Sequence, residues 1–186
     1  MFARVKSFAK SLRHLRRDES GHAAVEFGLV ALPFFLLMFG LGELGLIAFA
    51  QTSLDHAATE VSRRIRTGQA QSTGQSYQDI KDMLCDEMSN FGTLDCDTSL
   101  FLDVDTFDSY VNVSNNNPIE NSELNTDDFG YSPGAASSIV VVRAFYRWRV
   151  LTPVFQGVFA NLNDPISGHR TDRLLATTLM FRNEPY

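Results

Sequence analysis

The sequence predicts an α+β fold: a long N-terminal transmembrane helix, followed by a short helix and an antiparallel sheet of three or four strands. The helix is indicated by an apolar run over 27–50, in which Glu43 is the one charged residue. About 20 such residues cross a bilayer core as a helix. The sheet is indicated by the C-terminal half, where apolar and polar residues alternate with the period of two that is typical of half-buried strands.

Charged residues divide the 186-residue chain into a basic head and an acidic body. The net charge is −6, yet residues 1–17 contain six basic residues and no acidic one. Basic residues before a span, with almost none just after it, place the N-terminus in the cytoplasm and the body outside. A cleaved signal peptide ending in Ala-Phe-Ala at 48–50 is the alternative, but the apolar run is longer than a usual signal and Glu43 interrupts its end.

The helical pattern continues beyond the membrane. Apolar residues recur with helical spacing after Ala50, which predicts one helix over 22–66, embedded in lipid to about residue 50. Arginines near residue 66 suit the C-terminal end of a helix dipole, and Gly68 is expected to end the helix. The chain therefore divides into a basic leader (1–21), the long helix (22–66) and an outward α+β domain (67–186).

Shorter elements are predicted in the outward domain. Residues 68–76 have the composition of a linker, and residues 114–137 that of a long, mobile loop. Ser76, with Asp79 three residues later, is expected to cap a helix whose apolar positions extend to Phe91 and that ends at Gly92. Strand patterns occur at 99–105, 110–114, 137–152 and 173–182, of which the third is the strongest and is broken by Pro153.

The two cysteines, Cys85 and Cys96, are candidates for a disulfide. An outward location permits the bond, which would close a small loop. Two separate buried thiols are the alternative.

Other patterns indicate structure rather than chemistry. Gly-Leu-Gly-Glu-Leu-Gly at 40–45 lies inside an apolar helix, so it does not indicate a nucleotide site. Small residues there favour close helix packing in the membrane, and the candidate packing positions are Gly28, Pro33, Gly40, Gly42 and Glu43.

The aspartates over 95–108 lack the ligand order of a calcium loop. The arginines and aromatics of 143–149 fall on opposite strand faces of an acidic body, which excludes nucleic acid as a partner.

The sequence contains no recognisable catalytic constellation. The four histidines are scattered, and no nucleophile motif or phosphate-binding loop is present. We therefore expect a protein that is not an enzyme and that uses no cofactor and no metal.

Glu26 is the residue that most needs an explanation. It lies at the start of the apolar run, and an ionisable group within a membrane segment is a functional candidate by default. The alternative is that Glu26 lies at the level of the lipid headgroups, where its charge costs little free energy.

A known family shares this arrangement. A basic leader, Gly21, a glutamate five residues later and then Phe27, leading into an apolar helix, resembles a prepilin processing site. The run GHAAVEFGLVALPFFLLMFGLGELG at 21–45 is similar to the TadE family of minor pilins, or pseudopilins, of the Tad (Flp, type IVb) pilus. TadF-like proteins share the leader and helix. The ending TTLMFRNEPY is also similar to the end of these proteins.

The resemblance implies a function in assembly. A prepilin peptidase would cut between Gly21 and His22 on the cytoplasmic face, and the helix would remain in the bacterial inner membrane with a periplasmic domain. The implied partners are other pilins (TadF-like proteins and the major Flp pilin), the inner-membrane assembly platform and the lipid bilayer. The implied role is assembly of a pilus, which the protein itself could enter, for adhesion and surface colonisation. A signal-anchored periplasmic binding domain unrelated to pili is the alternative.

The chemistry of the cut suggests a role for Glu26 and Phe27 as an assembly motif. Cleavage creates an amine at His22 that is largely protonated at neutral pH. Paired charges are tolerated in lipid where isolated ones are costly. The Glu26 carboxylate can therefore pair with the new amine of its own subunit or of a neighbouring one. Pairing with a neighbouring subunit would set the axial register between helices.

Overall fold

A computed structural model describes residues 20–89, 95–113 and 117–186. Most of the predicted leader and the predicted helix end at Phe91 and Gly92 lie outside these ranges. The described residues divide into two units between Gly42 and Glu43.

Helix α1, Ser20–Arg66, is one continuous helix of 47 residues, as the apolar periodicity predicts. In the first unit its large apolar side chains are exposed, from 37 % at Leu36 to 73 % at Leu29. Among the described residues, one helix is long and apolar enough to cross a membrane, with mean hydropathy 2.1. A lipid environment accounts for so much exposed apolar surface, which soluble proteins rarely present.

In the second unit α1 buries one face. The predicted apolar stripe is fully buried and consists of Leu54, Ala57, Ala58, Val61 and Ile65. Ile47 and Ala50 extend the buried stripe toward the N-terminus, into a stretch that the sequence predicts to lie in lipid. Protein packing therefore covers this face from Ile47 onward.

The stripe packs on a four-stranded antiparallel sheet with strand order β1-β4-β6-β5. The strands are β1 (Leu100–Phe107), β4 (Ile139–Arg149), β5 (Leu162–Asn163) and β6 (Arg170–Arg182). Val142 of β4 lies opposite Val104 of β1 and Leu179 of β6, which fixes the register. The predicted α+β class is confirmed.

Strand β4 is covered on both faces. Its even-numbered residues from Val140 to Tyr146 join the core under α1. On the other face Phe145 is also buried, and its ring stacks on Phe129 at 5.2 Å between centroids. Burial on both faces explains why this strand is an almost continuous apolar run.

Two predictions about the connecting segments are wrong, and a third is incomplete. The expected linker contains a short helix α2, Gln69–Ser72, and the expected strand at 110–114 is instead a 3-10 turn at Tyr110–Asn112. The expected loop over 114–137 is folded where the structure describes it. It contains a hairpin of β2 (Ile119–Glu120) and β3 (Glu123–Leu124).

Backbone hydrogen bonds to β1 order the rest of that loop. The Val104 amide donates to the Gly130 carbonyl at 2.9 Å, and its carbonyl accepts from the Ser132 amide at 2.7 Å. Such bonds do not depend on side-chain type, so a composition rich in Asn, Ser and Gly could not reveal them.

Helix α3, Tyr77–Ser89, begins at the predicted cap. The Ser76 amide donates to the Asp79 carboxylate at 2.8 Å, and the Asp79 amide donates to the Ser76 hydroxyl at 3.3 Å. The hydrogen bonds from Ser76 lower the pKa of Asp79. A disulfide between Cys85 and Cys96 joins α3 to the short helix α4, Cys96–Ser99.

The strand that Pro153 ends is followed by helix α5, Pro153–Phe159, with the proline in its first turn. There the missing N–H costs nothing and the fixed φ suits the helix. The sequence predicted the break but not the helix.

The C-terminus packs against the end of α1. The Glu184 amide donates to the Arg66 carbonyl at 2.9 Å, and the two side chains form an ion pair at 3.1 Å. Gly68, where α1 was expected to end, has φ +76°. A methyl group there would overlap the ring of Tyr186.

Gly68→Ala should therefore destabilise the domain by roughly 2 kcal/mol, through backbone strain and displacement of the Tyr186 ring. Gly74→Ala is the matched control, since Gly74 has φ +64° but nothing within 4 Å of an added methyl group. The measurement is urea unfolding of the detergent-solubilised protein. Equal losses for both variants would show that the Tyr186 contact contributes nothing.

Candidate functional site

The predicted processing segment forms the first turns of α1. Gly21, His22, Glu26 and Phe27 are all exposed, and no atom lies within 4 Å of a methyl group placed on Gly21. Among the described residues, no hydrogen bond or ion pair involves the Glu26 carboxylate. This carboxylate is therefore free to bind a partner outside the described chain.

His22 and Glu26 are four residues apart in one helix. Residues at this spacing are neighbours on the same helix face. The geometry thus brings the peptide bond after Gly21 and the carboxylate of Glu26 to one side of α1, one turn apart.

Glu43, the one carboxylate within the apolar run, is in the opposite situation. It is 3 % exposed. Its Oε1 accepts from the Leu151 amide at 3.0 Å, and its Oε2 accepts from the Thr152 amide at 3.1 Å and the Thr152 hydroxyl at 2.9 Å. Both amides lie directly before α5, where backbone donors have no partner within the helix.

This finding revises the prediction for Glu43. The sequence placed it among the helix-packing positions in the membrane, whereas its carboxylate binds the backbone of its own domain. The remaining candidates stay predictions. Gly28 and Gly42 have nothing within 4 Å of an added methyl group, and Pro33 and Gly40 lie inside the helix.

The arginines of β4 form ion pairs within the domain. Arg143 binds Asp103 at 2.6 Å and Asp105 at 3.1 Å, and Arg149 is hydrogen-bonded to Asp164. These pairs account for Arg143 and Arg149 on β4. They also occupy two of the aspartates that the sequence weighed as calcium ligands. Among the described residues, no group of three side chains could hold a metal ion.

A cleft of about 600 Å³ lies at the end of β4, lined in part by Tyr146, Trp148 and Asp164. Burial raises the pKa of the Tyr146 hydroxyl. The Ile166 amide donates to the Asp164 carboxylate and, with Ser167 and Arg149, lowers its pKa. Asp164 is thus satisfied by Arg149 and by the backbone, whereas the Arg147 Nε in the same lining has no hydrogen-bond partner among the described residues.

Over the residues that the structure describes, these features define a protein with one candidate membrane helix and an α+β domain that packs on the C-terminal part of that helix. The TadE-like family model matches residues 21–63, and the predicted resemblance to TadE-like proteins is confirmed over this segment. The match associates the chain with Tad pilus systems. No curated protein and no solved structure matches the chain.

Sequence reasoning missed the partner of Glu43, which is 108 residues away at Leu151. One property of the sequence does indicate that such a partner exists. A carboxylate buried in an apolar helix is costly unless donors satisfy it. The sequence does not say which donors these are, because backbone amides occur at every residue except proline.

Glu43→Gln should lower the free energy of unfolding by about 1–3 kcal/mol, because an amide nitrogen would face a backbone donor and leave it unsatisfied. Glu60→Gln removes a carboxylate from the same helix, where it forms only an exposed pair with Arg63, and should cost less than about 1 kcal/mol. Urea unfolding in detergent compares the two. Equal costs would contradict a structural role for Glu43.

Proposed function

We propose that this protein is a minor pilin or pseudopilin that takes part in assembly of a Tad (Flp, type IVb) pilus after a prepilin peptidase removes its leader. The observation that carries the proposal is the TadE-like match, which begins at Gly21 and includes Glu26. Exposure of Gly21 and His22 supports the cut at this bond, since a peptidase needs access to it. The protein acts as a structural component and not as an enzyme.

Glu26 is the assembly carboxylate. It lies at the start of a membrane segment without a partner among the described residues, although a charge there needs one. Cleavage supplies a positive charge at His22, one helical turn away. Pairing with the amine of a neighbouring subunit sets the axial register between helices, and Phe27, 71 % exposed, contributes apolar contact beside it.

The partners follow from this role: the peptidase, the major Flp pilin, a TadF-like minor pilin and the assembly platform. The helix holds the protein in the inner membrane, with the N-terminus cytoplasmic and the domain periplasmic. The pilus serves adhesion and surface colonisation. Gly28 and Gly42, which have nothing within 4 Å of an added methyl group, leave space for another pilin helix to approach closely, whereas Gly40 is buried.

Cleavage is tested by mass spectrometry of the membrane-extracted protein. We expect His22 as the first residue in cells that contain the peptidase. We expect an intact leader in peptidase-deficient cells and in a Gly21→Leu variant. A mature chain starting at Met1 in the unmodified protein, or at Gln51, would refute the proposal.

The role of Glu26 is tested separately. Glu26→Gln should leave cleavage intact and reduce co-purification with the other pilins and pilus formation by roughly tenfold, since it removes the charge but keeps the shape. Glu60→Gln is the matched control on the same helix and should leave both unchanged. Normal pili at normal protein level in the Glu26→Gln strain would contradict the assigned role.

A further inference from the structure

The outer edge of strand β6 is open over much of its length in the part of the chain that the structure describes. Strand β6 pairs with β4 from Asp172 to Arg182. On its other side, β5 pairs only with Arg170 and Asp172. The opposite edge of the sheet is different, because backbone hydrogen bonds from residues 130–132 cover β1 at Val104. Within the described residues, β6 beyond Asp172 therefore has no strand partner on its outer side.

The even-numbered residues of β6 point their backbone groups toward this edge. In an antiparallel pair, alternate residues direct their N–H and C=O toward the partner strand, and the residues between them direct these groups away. The Ala176 carbonyl accepts from the Gln51 side chain at 3.1 Å. The Glu184 amide donates to the Arg66 carbonyl at 2.9 Å. Even-numbered residues thus bond to groups outside β4, and their backbone points away from it.

Three residues between these two contacts have unpaired backbone groups. They are Thr178, Met180 and Arg182, and among the described residues no hydrogen bond involves their N–H or C=O. Unpaired groups of an edge strand form a row to which another extended chain can hydrogen-bond. We refer to the backbone groups of these three residues as the β6 open edge.

The sequence of β6 does not protect this edge. Natural edge strands are often protected by charged residues, by proline or by a β-bulge. Residues 174–181 contain no charged residue, no proline and no glycine, and their register with β4 is continuous. The edge can therefore accept a further strand without rearrangement of β6.

The core under α1 is incompletely covered at the same edge. Val140 and Val142 of β4 are 0 % exposed. Phe181 and Leu179, which lie opposite them on β6, are only partly buried. Side chains of an added strand alternate between the two faces of the sheet. Those on the α1 side would lie beside Leu179 and Phe181 and remove their remaining exposed surface from water.

We propose that the β6 open edge binds an extended peptide segment of another protein, which adds to the sheet as a further strand. A peptide backbone offers N–H and C=O groups at the spacing of a strand, so the edge selects an extended chain rather than lipid or a small ligand. Leu179 and Phe181 select apolar residues at alternate positions of that segment. The proposal rests on the sheet and not on leader cleavage, so it can fail or succeed independently of the proposed function.

The test follows amide hydrogen exchange, residue by residue, in the full chain in detergent. Without a partner, the amides of Thr178 and Met180 should exchange at least roughly tenfold faster than those of Thr177 and Leu179, which point to β4. The probe is the peptide acetyl-Lys-Val-Thr-Val-Thr-Val-Lys-amide, whose lysines keep it soluble. Excess peptide should slow exchange at Thr178 and Met180 at least roughly tenfold, because each amide then donates to the added strand.

Two methylated forms of the peptide distinguish strand addition from other binding. With its valines beside Leu179 and Phe181, an antiparallel strand directs its threonine amides toward β6 and its valine amides away. N-methylation of both threonines should therefore abolish the protection, whereas N-methylation of the central valine should preserve it. Equal effects of the two forms, or no protection by the unmodified peptide, would overturn the proposal.

A variant removes one donor from the edge itself. Thr178→Pro deletes an outward N–H that has no partner among the described residues. It should leave the unfolding transition nearly unchanged and abolish protection of the Met180 amide by the peptide. Thr178→Val keeps the N–H and is the matched control. Slow exchange at Met180 without peptide, lost on dilution of the protein, would also overturn the proposal, because a second copy would then cover the edge.

Discussion

One uninterrupted helix has to bury its apolar side chains in two different environments, and the rest of the structure follows from this constraint. From Gly21 to Gly42 the large apolar side chains of α1 are exposed, which suits a lipid environment. From Ile47 to Ile65 a single stripe is buried against the four-stranded sheet. The change from one environment to the other occurs within two turns of helix, and Glu43 lies at that change.

Glu26, just before the apolar run, and Glu43, within it, show how position decides the role of a charge. Glu43 has three protein donors, so its burial is compensated and it ties α1 to the start of α5. Glu26 has no partner among the described residues, which leaves its charge for a group from elsewhere. In the proposed function that group is the amine created by cleavage, whereas Glu43 acts within the domain. In the proposed function, similar residues in one helix thus serve an intermolecular and an intramolecular contact.

Local physics explains which elements the sequence predicts well. Hydrophobic periodicity predicts the extent of α1 and the long strand β4, and hydrogen bonds between near neighbours predict the Ser76–Asp79 cap. Both signals can be recognised in short stretches of sequence. The fold of 117–137 and the short helix α2 could not be predicted in this way. The loop is ordered by backbone pairing with β1 and by the stacking of Phe129 on Phe145, and both depend on strands that are distant along the chain.

The sequence by itself determined the long helix, its two apolar patterns, the resemblance at 21–45 and the α+β class, because hydrophobic periodicity and motif spacing are local properties. Only the tertiary structure decided the strand order, the ion pairs of the β4 arginines and the partner of Glu43. These three features depend on which backbone and side-chain groups come into contact after folding. Before folding, many groups that are distant in sequence are chemically equivalent as candidate partners. The donors to Glu43 are ordinary amides at Leu151 and Thr152, and only the packing of the sheet on α1 brings them to it.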